Sequence, residues 1–158
     1  MKKKNQVRTQ VAVAVRACED KKATSISILQ LDAQASGFTD YFVLCSGANP
    51  RQVQAIADEV DLKLSAAGVQ PKHIEGYSQA DWVLMDYIDF VVHIFSETAR
   101  KFYDLERLWK SAKRLQPADL QKPARKLPAV KVAGKRPAQK RAAKATPRKR
   151  AVRARKNP

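Results

Sequence analysis

Apolar residues recur along this chain with two different periods, and the chain changes element where the period changes. Val7, Val11, Ala14 and Val15, extended by Ala17 and Cys18, lie at helical spacing and predict a first helix that ends near Asp20-Lys21-Lys22. A strand is expected over residues 26–31, with Ile26, Ile28 and Gln30 on one face. Gly37 then interrupts the chain before a strand at Tyr41 to Cys45, closed by Ser46-Gly47. Asn49 is placed to cap the next helix, with Pro50 at its first position and Gln52 three residues on, a variant of the capping box. In that helix Val53, Ile56, Ala57, Val60, Leu64 and Ala67 form one apolar stripe, Asp58, Glu59, Asp61 and Lys63 stay off it, and Gly68 is its natural stop.

After a short extended piece around residues 73–77 the period falls to two. Trp82, Leu84 and Asp86 point to one face of a strand, and Val83, Met85 and Tyr87 to the other. With Ile88-Asp89 as the turn of a hairpin, Asp86 stands across from Val91, Leu84 from His93 and Trp82 from Phe95. From Glu97 a third helix is predicted to place Phe102, Leu105, Leu108 and Trp109 inward. The order helix, strand, strand, helix, strands, helix gives an α/β layer, a single mixed β-sheet with helices mainly on one face.

Charge divides the chain. Residues 1–109 carry 13 basic against 14 acidic side chains, a balance of −1, whereas residues 110–158 carry 18 basic residues and one acid, Asp119. The formal +16 therefore belongs to the C-terminal part. There Pro117, Pro123, Pro128, Pro137 and Pro147 punctuate a run of Ala, Lys and Arg too poor in large apolar residues to offset its ordering entropy. The expected organisation is a folded core over 1–115 and a disordered basic tail over 116–158. Lys135, Arg136, Lys140, Arg141, Arg148, Lys149, Arg150, Arg153, Arg155 and Lys156 form its clusters. With no aromatic residue among them to stack on bases, they suit sequence-independent binding to phosphates.

Met1-Lys2-Lys3-Lys4 resembles the start of a signal peptide, but the apolar run after it, Val11 to Val15, is cut off by Arg16, so neither a secretory nor a transmembrane segment is expected. Cys18 and Cys45 lack metal-ligand spacing and are expected reduced and buried, in keeping with a cytoplasmic protein.

Trp82 shares its predicted face with Asp86, a residue that a dry core does not accept unpaired. If the helices cover the Val83, Met85 and Tyr87 side, then Trp82, Leu84 and Asp86 make an apolar patch with a polar rim, the composition of an interface anchor. His93 approaches Asp86 diagonally in this register, but no serine or cysteine nucleophile reaches it, and a histidine satisfied by a neighbour on the sheet is the simpler reading. His73 is expected at the surface near a strand start. Arg51 and Gln52, at the start of the second helix, are placed to meet a partner backbone or an anion.

Together with the segment from Asp40 to Gly47, Arg51-Gln52-Val53, Glu75-Gly76 and Phe102-Tyr103-Asp104-Leu105-Glu106, the hairpin resembles the iojap-type ribosomal silencing factor family over roughly residues 5 to 112. The resemblance implies a nucleotidyltransferase-like fold without enzymatic activity, cofactor or metal. It implies binding to the large ribosomal subunit through its fourteenth ribosomal protein and hindrance of joining to the small subunit. Ribosomal RNA is then the polyanion available to the tail, and a second copy of the chain is a further candidate partner. Nucleotidyltransferases hold two magnesium ions with carboxylates spaced on a strand. Asp86 and Asp89 straddle a turn instead, which argues against that chemistry. The competing reading is a general nucleic-acid-binding protein acting through its basic tail. The chain departs from the family pattern at Ile88, where Gly is usual. A β-branched residue resists positive φ, so the turn is expected to be of another type or one residue longer.

Overall fold

The computed structural model describes residues 2–32, 37 and 39–121. Met1–Ala124 forms one compact unit. The elements run α1 (Lys2–Asp20), β1 (Thr24–Gln30), β2 (Tyr41–Gly47), α2 (Pro50–Ala66), β3 (His73–Glu75), β4 (Trp82–Asp86), β5 (Phe90–Ser96), α3 (Glu97–Tyr103), α4 (Leu105–Leu108), β6 (Lys113–Leu115) and α5 (Pro117–Gln121). The strands form a single sheet in the order β3-β4-β5-β2-β1-β6, with β2 and β5 parallel and the other pairs antiparallel. The single mixed sheet expected from the pattern is therefore present.

The two faces of the sheet carry cores of unequal size. On one side the α1 stripe of Val7, Val11, Ala14 and Val15 and the α2 stripe of Val53, Ile56, Val60 and Leu64 close over Ile28, Val43, Val83, Met85 and Ile94. On the other side a smaller cluster of Leu29, Phe42, Leu44, Val91, Phe95 and Leu105 has Trp82, Leu84 and Trp109 packed against it, only partly buried. Central β2 is buried at every position, as a strand covered on both faces must be. Asn49 caps α2 through a bond from the Gln52 N–H, with Pro50 at the first position. Gly68, just past its end, has φ +83.

Cys18 and Cys45, far apart in sequence, meet in the larger core as free thiols with their Sγ atoms 3.7 Å apart. The hydrogen bond to Cys45 and then burial push the Cys18 thiol well above its ordinary value, so it stays protonated and unreactive.

The hairpin has the register read from the alternation, Trp82 opposite Phe95, Leu84 opposite His93 and Asp86 opposite Val91. Of the two expected departures, the longer loop is corrected, while the turn is of another type, closed around Ile88 by the Asp89 N–H on Tyr87 O at 2.9 Å. Tyr87 N–H donates to Phe90 O at 2.9 Å across a two-residue loop, and Ile88 adopts φ +73 in it. Asp86 explains how this is held, because its carboxylate accepts the Ile88 N–H at 2.8 Å. Ile88 is 59% exposed, so little burial offsets its backbone strain. Ile88→Gly is expected to stabilise the fold by about 1 kcal/mol, after allowing for glycine's larger unfolded-state entropy. The check is a higher urea midpoint at unchanged slope; an equal or lower midpoint would mean that the isoleucine side chain compensates.

Packing also continues past the boundary that charge suggested at 115. Gln116, Pro117 and Asp119 build a helix start in which Asp119 accepts the Gln116 N–H at 2.9 Å, and Leu120 is buried in the larger core.

Candidate functional site

The second sheet face gathers the candidate residues. Directly paired residues share a face, so β4 presents Trp82, Leu84 and Asp86 beside Phe95, His93 and Val91 of β5, and β3 adds His73 opposite Asp86 and Glu75 opposite Leu84. Trp82, Leu84 and Asp86 are each half-buried. The indole lies 4.6 Å from the Tyr103 ring and 5.1 Å from that of Phe95, and its Nε1–H donates to His93 Nδ1 at 3.0 Å. A carboxylate rim borders it: His73 lies 2.9 Å from Glu75 and 3.7 Å from Asp86.

His93 does not meet Asp86. It is buried beneath Trp82, at right angles to Phe42 with ring centroids 4.6 Å apart. Its Nδ1 is satisfied by a neighbour on the sheet, the indole, while its buried Nε2 has no hydrogen-bond partner among the described residues. Burial lowers its pKa from 6.5 to about 3, which fixes a neutral ring whose Nδ1 accepts from Trp82. Below the ordinary histidine pKa the unfolded chain takes up a proton that the folded chain refuses. The stability from the neutral ring is therefore complete above pH 6.5 and is lost as pH falls toward 3. Between about pH 7.5 and 5.5 this group alone should lower stability by about 1.4 kcal/mol. Urea unfolding at the two pH values of the protein and of His93→Gln checks it: the variant should lack this increment, and an equal pH dependence would sink the assignment.

Of the two helix-start candidates, Arg51 is exposed and Gln52 is engaged within the fold. The Gln52 side chain accepts from Ala48 N–H at 2.7 Å and donates to the carbonyls of Lys21 and Lys22, each at 3.1 Å. It ties the end of α1 to the start of α2.

The segment after the hairpin differs most from expectation. Ser96 caps α3 and holds Asp81, before Trp82, through a side-chain bond of 3.2 Å. The helix then stops at Asp104, which takes the left-handed conformation at φ 46 before α4 begins. Arg100 braces this elbow, reaching Ser46 Oγ at 3.0 Å and Glu106 at 3.0 Å. Because the helix is broken, the predicted inward stripe holds only in part: Leu105 is buried and Trp109 packs on Phe42, but Phe102 is 78% and Leu108 73% exposed. Tyr103, unassigned from the sequence, is the residue that packs on Trp82. Its signal was present as an aromatic one position from the predicted stripe.

Other sequence candidates stay apart. Asp86 holds the turn while Asp89 lies 3.6 Å from Lys3, so the two carboxylates do not converge. The Ser46 hydroxyl accepts from Arg100. Among the described residues, no three His, Cys, Asp or Glu side chains gather as a metal site, and no helix is long and apolar enough to cross a membrane. The ten basic tail residues, Lys135 to Lys156, lie outside the described residues.

The chain is thus an α/β protein with a single mixed sheet and an aromatic patch on one face of it. Its relatives supply the family. A family model described as "Ribosomal silencing factor during starvation" matches residues 4–153. Ribosomal silencing factor RsfS of Bacillus subtilis is 43% identical over 100 residues, covering 63% of this chain and 84% of that protein. A crystal structure of a protein from Chromobacterium violaceum superimposes with a TM-score of 0.62 at 34% identity, covering 65% of this chain and 84% of that one. One from Bacillus halodurans superimposes with a TM-score of 0.58 at 39% identity, covering 67% and 95%. The chain belongs to the ribosomal silencing factor family.

Proposed function

We propose that this chain is a ribosome-associated repressor of translation. It binds the large ribosomal subunit through the fourteenth large-subunit ribosomal protein and blocks joining of the small subunit by steric overlap. It does so as a cytoplasmic, non-enzymatic factor without a cofactor. The observation that carries the reading is the half-buried Trp82, held by His93 and Tyr103 on the sheet face away from the larger core. Family membership supplies the ribosomal context. A rigid aromatic anchor with apolar Leu84 beside it and a carboxylate rim suits a protein partner that presents basic groups.

The second reading, general nucleic-acid binding through the tail, rests on the 18 basic residues of 110–158. Truncation separates the two. The shortened chain should end at Ala124 rather than 115, so that Leu120 stays in the core. If it still binds large subunits and prevents joining, measured by sedimentation, the first reading stands; loss of all binding favours the second.

Salt dependence gives an independent check. With roughly six phosphate contacts from the tail, log affinity of the full chain should fall with log salt with a slope of about −4 to −5. The truncated chain should depend on salt more weakly. Equal slopes would make the tail a passive extension.

A further inference from the structure

The α3–α4 elbow carries a surface with a different chemistry from the Trp82 patch. The break at Asp104 turns Phe102 and Leu108 outward at the rim of an open hollow of about 550 Å³, also lined by Lys101, Arg107 and Lys110. Two nearby cations are paired: Arg100 and Arg114 both reach Glu106, at 3.0 and 3.8 Å. Among the described residues, Lys101, Arg107 and Lys110 have no ion-pair partner, and Asp104 is the one carboxylate lining the hollow. Phe102 meets Tyr103 at right angles with centroids 5.0 Å apart, which leaves most of its ring in solvent.

Unpaired cations around an exposed aromatic ring match single-stranded RNA, whose phosphates satisfy the cations and whose bases stack on the ring. A protein partner fits this hollow less well, because lysine is depleted from interface cores. The neighbouring Trp82 patch has the opposite rim, Asp86 and Glu75. We infer that the elbow formed by Lys101, Phe102, Arg107 and Lys110 is an RNA-binding site of the folded part, distinct from both the Trp82 patch and the basic tail. Within the proposed function, which this inference deepens, the RNA is an unpaired segment of ribosomal RNA bordering the protein docking site.

The test uses the full chain bound to large ribosomal subunits and, separately, to an unstructured oligouridylate RNA. Each complex is irradiated with ultraviolet light, and peptides carrying a nucleotide adduct are identified by mass spectrometry. The expected result in both is an adduct on Phe102; Tyr103 lies against Trp82 and does not report on the elbow alone. On large subunits, Phe102→Ala should lower affinity about tenfold, the loss of one stacked base. The exposed triple change Lys101→Glu, Arg107→Glu and Lys110→Glu should make the salt slope shallower by about 2. Adducts confined to residues 125–158, or an elbow that cross-links to ribosomal protein alone, would overturn the inference while leaving the proposed function standing. If the chain fails to bind large subunits, the proposed function falls and the oligouridylate arm decides the elbow: an adduct at Phe102 supports it, and none there overturns it.

Discussion

Trp82→Ala is expected to weaken binding to large ribosomal subunits at least thirtyfold, about 2 kcal/mol or more. The indole is a large, half-buried group on its sheet face, and it is already fixed before any partner arrives. His93 accepts its N–H, and Tyr103 and Phe95 hold its ring at 4.6 and 5.1 Å. An anchor that loses little freedom on docking delivers most of its contact energy as affinity. Alanine also leaves His93 Nδ1 without a donor and opens space beside Phe95, so the variant's melting must first show that it is folded. Leu84→Ala, beside it and smaller, should cost less affinity. Unchanged co-sedimentation of a folded Trp82→Ala chain with large subunits would remove this face as the docking site.

Much of this face was legible because strand alternation is strict: one register assigns every residue from Trp82 to Phe95 to a side, and hydrophobicity leaves only one register acceptable. The α1 and α2 stripes were legible for the same reason with period 3.6. What escaped the pattern was set by single backbone positions. Asp104 gives no hydrophobic signal, yet its left-handed conformation ends α3 and turns Phe102 and Leu108 out of the predicted stripe. Aspartate tolerates that conformation better than most residues, so an Asp inside a predicted helix was the available warning. Ile88 shows the converse, a sound preference overruled by context, since the Asp86 carboxylate and the Tyr87–Phe90 bond hold it at positive φ. Pro117 read as the first break of a tail, although Gln116 and Asp119 around it spell a helix start. The meeting of Cys18 with Cys45 and of Trp82 with Tyr103 depended on tertiary packing that no spacing encodes.

Gly76→Ala is expected to destabilise the fold by on the order of 3 kcal/mol or more, and to do so through the strand that carries Trp82. Gly76 sits at φ +79, where any side chain is strained, and a Cβ there would lie 2.1 Å from the Trp82 carbonyl oxygen. That oxygen is backbone, so no rotamer change relieves the overlap; either the 76–81 loop or β4 itself must shift. The loop has little room to do so. Ala80 N–H bonds back to Gly76 O at 3.0 Å, and Tyr77 is tied to α2 by its hydroxyl on Asp58 and by Gln54 on its carbonyl. Gly68→Ala supplies the comparison, because Gly68 has φ +83 but open space where its Cβ would be. It should cost only the backbone strain, about 1 kcal/mol. Urea midpoints of the two variants thus separate strain from collision. Because a displaced β4 also misplaces the indole, Gly76→Ala should lose affinity for large subunits even under conditions where it remains folded. A Gly76→Ala chain as stable as Gly68→Ala would show that this close approach does not exist in the folded protein.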